Sequence, residues 1–253
     1  MSKAAELAKA GETLTNQPSG RKNIVTNGAM QVAQRSASVT GLGAASGYFT
    51  CDRWKLGVSG TAGRLTMAQV ADGPSGFANC MKLTCTTADA SIAAGEILNI
   101  VQQFEGQDVQ SIGKGETGAK QVTASFYVKG NATATYLVEL EDIDNSRTNG
   151  KLFAVTTDWV RHEITFEADV DDGSSPLDDN NASSLALTFY LHGGSNFTSG
   201  TLASGWENST AANRLAGIDS FFSSTDRTLF ITGVQLEIGS QATNFEHRSF
   251  GEE

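Results

Sequence analysis

From Asn23 onward, apolar and polar residues alternate with period two more often than they repeat at helical spacing. In QVTASFYVK, Val122, Ala124, Phe126 and Val128 fall on one side, and Thr123, Ser125, Tyr127 and Lys129 on the other. In VRHEITFEA the same sorting separates Val160, His162, Ile164 and Phe166 from Arg161, Glu163, Thr165 and Glu167. Successive side chains of a strand point to opposite faces, so each run predicts a strand with one face on a core and the other in water. Less regular runs occur at GRLTMAQV, NCMKLTC, ATYLVELE, SLALTFYLH and RTLFITGVQLEI. About ten strands with turn clusters between them predict an all-β fold, an antiparallel β-sandwich of two sheets packed face to face.

The last of these runs is less simple than the others. Unbroken alternation sends Phe230, Thr232, Val234, Leu236 and Ile238 to one face and Ile231, Gly233, Gln235 and Glu237 to the other. A Gln and Glu on a strand this apolar fit a solvated surface, a buried hydrogen-bonding device or part of a cleft. The amino end differs in kind. Residues 2 to about 14 carry Ala4, Leu7, Ala8 and Leu14 on one side with Ser2 placed to cap, which predicts a short helix. A helix of that length is marginal alone in water and is expected to dock on something. TNQPSGRKN then has linker chemistry, so the chain divides into a helical arm and linker over 1–22 and a sandwich over 23–253.

Composition narrows the function. The 253 residues hold 28 acidic and 18 basic side chains, a formal charge of −10. Nucleic-acid binding runs on phosphate neutralisation by Lys and Arg, so DNA and RNA are excluded as expected partners. The 27 Gly and 3 Pro suit short strands and frequent turns. Three cysteines cannot close into an intramolecular disulfide set, and Cys80 and Cys85 fall on opposite faces of one run. They read as small buried hydrophobes of a protein assembled in a reducing compartment. No apolar run reaches the roughly 18 residues of a membrane span, and MSKAAELAKAGE lacks the apolar centre of a signal peptide, so no membrane insertion is expected.

Catalytic and cofactor signatures are not found. GKGETGAK places its Lys one residue late for a phosphate loop and precedes a strand, so it reads as a hairpin turn. DVDDGSSPLDDNN sets Gly173 one place early for an EF-hand and has no closing Glu, so it reads as a solvated loop. There is no G-x-S-x-G or H-E-x-x-H, and His162, His192 and His247 have no partners at metal-ligand spacing. His162 reads as a core histidine. No cofactor, no metal and no enzymatic activity are expected. The aromatic residues carry more. Sugar rings stack their C–H faces on aromatic side chains while amides and carboxylates take the hydroxyls. HGGSNFTSGTLASGWENSTAANR is a long Gly/Ser-rich connection that holds Phe197 and Trp206 among Asn196, Glu207, Asn208 and Asn213. Phe197, Trp206, Asn196 and Asn208 are the candidate glycan contacts, with Trp206 equally suited to cover a sheet end. Trp54 and Trp159 sit within or just before strands, where packing is expected.

NIVTNGAMQVAQR, GYFTCDRWKL, IVQQFEGQDVQSIGKGETGAKQVTASFYVKG and FITGVQLEIGSQATNFEHRSFGEE occur in one order. That ordered set resembles the jelly-roll domain of tailed-bacteriophage fibre and appendage proteins, especially those of marine and cyanobacterial phages, over Asn23 to Glu253. It is also similar to jelly-roll carbohydrate-binding modules, whose first strand reads N-L-x-x-N-G-x-F-E. Here Asn23, Ile24, Asn27 and Gly28 match, and Met30 and Gln31 stand where the aromatic residue and a calcium-holding acid would fall. The resemblance implies neighbouring first and last strands, with Asn27, Gly28, Gln235 and Glu237 structural and Glu237 accepting from the Asn23 to Gln31 strand. It further implies a tail-fibre or receptor-binding protein of the virion, assembled in the host cytoplasm. Such a protein is anchored to another virion protein through 1–22, homotrimeric, and turned toward host-surface glycan. A capsid decoration or head-fibre role is the alternative, and a polysaccharide depolymerase is a third reading that needs two close carboxylates in a groove.

Overall fold

The computed structural model describes Lys3, residues 21–170 and residues 175–253. Apart from Lys3, the helix expected over 2–14 lies outside the described residues, as do Asp171, Asp172 and Gly173 of the acidic loop. The described residues form twelve strands in two six-stranded antiparallel sheets. The first sheet runs in the order β1 (Ser38–Leu42), β3 (Arg64–Val70), β4 (Cys80–Thr87), β12 (Thr228–Ile238), β6 (Val122–Gly130), β9 (Val160–Phe166). The second runs β11 (Glu207–Asn208), β8 (Arg147–Val155), β7 (Ala134–Asp142), β10 (Ser183–Gly193), β5 (Ile97–Glu105), β2 (Lys55–Ser59). From β4 through β7 the chain changes sheet at every connection, which is the winding of a jelly-roll sandwich.

The core lies between the two sheets, where inward residues from both meet. Phe126 of β6 meets Phe153 of β8 and Phe189 of β10 edge-on, with ring centroids 5.1 and 4.9 Å apart. Val122, Ala124, Val128 and Phe166 are buried on the faces that alternation assigns them. His162 packs its ring on Phe126 and Phe153 and sets Nε2 2.8 Å from the Ala154 carbonyl. Trp54 is fully buried with Nε1 donating to the Asn27 carbonyl, and all three cysteines are free and buried.

Strand β12 departs from simple alternation. Its register against β6 shifts between Thr232 and Gln235, where Gly233 takes φ +61°. The extra residue switches phase, so Leu229 and Ile231 face the core before it and Val234, Leu236 and Ile238 after it. Phe230 and Thr232 therefore share the outer face with Gln235 and Glu237, correcting the continuous-strand expectation. A Cβ on Gly233 would meet the Phe77 ring at 2.7 Å, so the bulge needs glycine both for its dihedral and for the close approach.

Two further expectations change. Residues 23–31 do run beside β12, as Ile24 N donates to the Leu236 carbonyl and Val234 N to the Gly28 carbonyl, but they form a turn-rich segment with no ladder strand. The GKGETGAK stretch is not a hairpin: it ends the crossover from β5 to β6, in different sheets. Its Lys114 is buried and pairs with Asp142 and, at 2.8 Å, with Asp169. Asp169, just ahead of the acidic run, also receives both arms of Arg147. Against burial that would raise it, Arg147 and Lys114 hold the Asp169 carboxyl below the usual range.

Candidate functional site

A polar groove of about 650 Å³ opens at the end of the sandwich where the amino-terminal segment enters. Four separate stretches form it: 24–35, 48–53, the end of β5 with the turn after it, and the carboxyl-terminal residues Phe250 and Glu253. Asn27 ties the first stretch to the second. With φ +53° it directs Nδ2 to the Val32 and Asp52 carbonyls while Oδ1 accepts from Val32 N. Gln102 of β5 fixes the floor, accepting from Thr26 N and donating to Thr26 O at 2.7 and 2.8 Å.

Two aromatic rings line this groove and remain open to solvent, Tyr48 at 42% and Phe250 at 62% exposure. Arg35 lies 5.5 Å from the Tyr48 ring centroid and reaches Asp52 at 3.2 Å, so the ring is steered by a cation held by its own carboxylate. Arg53 stands in the left-handed region at φ +71°, kept there by Asp52 N bonding the Val32 carbonyl and by Asn27 on the Asp52 carbonyl. Gln34, Gln103, Glu105 and Asp108 complete a lining of amides and carboxylates around the rings. Exposed aromatic faces among hydrogen-bond donors and acceptors are suited to polyhydroxylated rings.

The carboxyl-terminal stretch is strapped across the outer face of the first sheet. Glu237 is fully buried; its oxygens accept from Thr243 N at 2.9 Å, Thr243 Oγ1 at 2.6 Å and Gln235 Nε2 at 2.7 Å. Its donors thus come from the tail and from Gln235, not from the Asn23 to Gln31 segment. That segment is reached one link further on. Glu246 N donates to Gln235 Oε1, and Glu246 Oε2 accepts from Lys22 N and Asn23 N. Thr123 and Ser125, which alternation assigns to water, are buried as well, and Thr123 Oγ1 donates to the Gly239 carbonyl where the tail begins.

The aromatic loop is arranged differently from the sequence expectation. Phe197 packs with Leu137, Tyr190 and Leu215 in a satellite cluster on the outer face of the second sheet. Trp206 packs on the main core, donates Nε1 to the Glu167 carbonyl at 2.8 Å and lies 4.9 Å from Lys114 Nζ. The space beneath it is about 10 Å³, enough for one water at most. Asn208 accepts from Arg147 at 3.2 Å, and Asn196 is exposed, its backbone N bonding the Ala94 carbonyl. The four residues do not share one platform. The loop that carries them is anchored by Arg214, which bonds Glu139 through both arms and also reaches Glu141 and Tyr190. Burial pushes the Glu139 carboxyl up to about 7 against the pull of Arg214. The groove residues Tyr48, Arg35, Arg53 and Phe250 carry no linear signal, because folding assembles them from distant stretches. The Asn-Gly pair at 27–28 is the local mark of the turn that shapes the wall.

No family model matches this chain, and no curated protein matches it. Among solved structures it is similar to the enzymatically active domain of tailspike protein 4 of bacteriophage CBA120, at 13% identity and TM-score 0.42, over 85% of this chain and 21% of that one. This chain thus spans about a fifth of that structure's length. It is also similar to TmCBM61 in complex with beta-1,4-galactotriose, at 10% identity and TM-score 0.44, over 86% and 99% of the two chains. A third is the family 11 carbohydrate-binding module of a cellulosomal cellulase of Clostridium thermocellum, at 14% identity and TM-score 0.39, over 83% and 99%.

Proposed function

We propose that the chain is a non-enzymatic saccharide-binding domain of a bacteriophage appendage, with its ligand in the groove between Tyr48 and Phe250. The observation that carries the binding reading is the pairing of two solvent-open rings with amide and carboxylate groups in one groove of about 650 Å³. The phage assignment is supported by the ordered sequence segments from Asn23 to Glu253. In this reading residues 1–22 tether the domain to another virion protein, copies associate as a homotrimer, and the ligand is host-surface glycan. Repetition in a trimer multiplies weak contacts into avidity.

A purely structural role as a capsid decoration calls for broad apolar patches on the outer sheet faces. Here the tail covers part of one face and the loop anchored by Arg214 part of the other, and Ile92, Leu152 and Val170 are exposed from separate stretches. A glycan array with the whole chain, run beside adsorption to intact host cells, tests the proposal. Binding that disappears in Tyr48→Ala is the expected result; silence in both assays refutes it. Release of reducing ends from host polysaccharide would convert the reading to a depolymerase.

A further inference from the structure

A second recess, of about 310 Å³, adjoins the groove and shares Ile24, Thr26 and Asp108 with it. Its lining differs in charge. Arg21, Lys22 and Arg248 converge there, together with Ser111, in a chain whose formal charge is −10. Arg248 gives one terminal nitrogen to the Asn23 carbonyl, while its Nε is buried with no hydrogen-bond partner. Lys22 Nζ bonds neutral acceptors, Thr243 Oγ1 at 2.7 Å and the Asn244 carbonyl at 3.4 Å. Of the neighbouring carboxylates, Glu246 takes the backbone N–H groups of Lys22 and Asn23, and Glu252 takes N–H and O–H of Ser249 while feeling the charges of Arg21 and Arg248. Asp108 lies at the boundary, where groove and recess meet.

Three cationic side chains around one small recess favour an anionic oxygen, which each of them can meet with a charge-assisted hydrogen bond. We propose that this recess holds the anionic substituent, a carboxylate or a phosphate, of a saccharide whose rings lie in the adjoining groove. The proposal rests on the saccharide reading and narrows it to acidic glycans.

The test titrates the full chain with oligogalacturonate and a neutral galactose oligomer of equal length, and with phosphorylated and plain mannose oligomers. The acidic member of at least one pair is expected to bind about tenfold tighter than its neutral partner, the scale of one charge-assisted hydrogen bond. That preference falls with added salt and is lost in Arg248→Gln. Arg21→Gln, at an exposed position that does not endanger folding, is expected to reduce it as well. Whichever pair shows the preference identifies the anion as carboxylate or phosphate. Equal affinity within both pairs, or a preference unchanged in both variants, overturns the anion recess and leaves the saccharide reading standing. Failure of the wild-type chain to bind any of the four overturns the anion recess, while the saccharide reading falls only with silence on the glycan array and in cell adsorption.

Discussion

Gly28 lies directly against Val234: its carbonyl accepts from Val234 N at 3.0 Å, and a Cβ built on it would meet the Val234 carbonyl oxygen at 2.0 Å. The amino-terminal segment can lie this close to β12 only without a side chain there. Gly28→Ala is expected to cost about 1–3 kcal/mol, the usual scale of overpacking, read from urea unfolding. An unchanged midpoint would mean that the segment moves aside freely.

Glu139 gives a pH signature. Its carboxyl is pushed from 4.5 to about 7 by burial, so the native state holds a proton that the unfolded chain releases. The stability this contributes is fully present below about 4.5 and is lost as pH rises through about 7. Glu139→Gln is expected to flatten the stability profile over that window relative to the parent. A profile of unchanged slope contradicts the assignment.

The thiols of Cys51 and Cys80 are raised to about 12 by burial, and that of Cys85 is raised by the same cause. All three are expected to resist a thiol reagent at pH 8 in the native protein and to react in denaturant. Rapid labelling of the native protein would show that the core opens near them.

Trp206 and Tyr48 separate structure from binding. Trp206→Ala removes a ring packed on the core and the donor to Glu167, and is expected to cost about 2–4 kcal/mol of stability. Tyr48→Ala removes a ring that is 42% exposed, and is expected to leave Tm nearly unchanged while saccharide affinity falls about tenfold or more. Thermal melts and titrations on the same samples check both; the reverse pattern would return the binding role to the loop.

Much of the sandwich is legible in sequence because alternation in β6 and β9 directly reflects a dry and a wet face. The approach of residues 23–31 to β12 follows from the ordered segments, and Asn27-Gly28 marks its turn. The phase switch in β12 was signalled by glycine inside a strand pattern, yet period counting treats Gly233 as one more outward position. The burial of Thr123, Gln235 and Glu237 goes with the tail folding back onto them, which no local pattern encodes. The groove is less legible still, since Tyr48 and Phe250 are about two hundred residues apart in sequence and meet only through Asn27, Gln102 and the strap. Trp206 carried the expected residue type, but whether a loop tryptophan stacks on a ligand or seals a core is decided by the space beneath it.

The hydrogen bonds that Lys22 N and Asn23 N donate to Glu246 bear on how the molecule responds to tension. Force pulling residues 21 and 253 apart acts on the contact of Asn27 N with Glu253, on the Arg248 contact with Asn23 and on that small clasp before the ladders between strands. Such a clasp would serve as a mechanical fuse: because Phe250 and Glu253 line the groove and Arg248 the recess, its release would remove those walls while the two sheets stay paired.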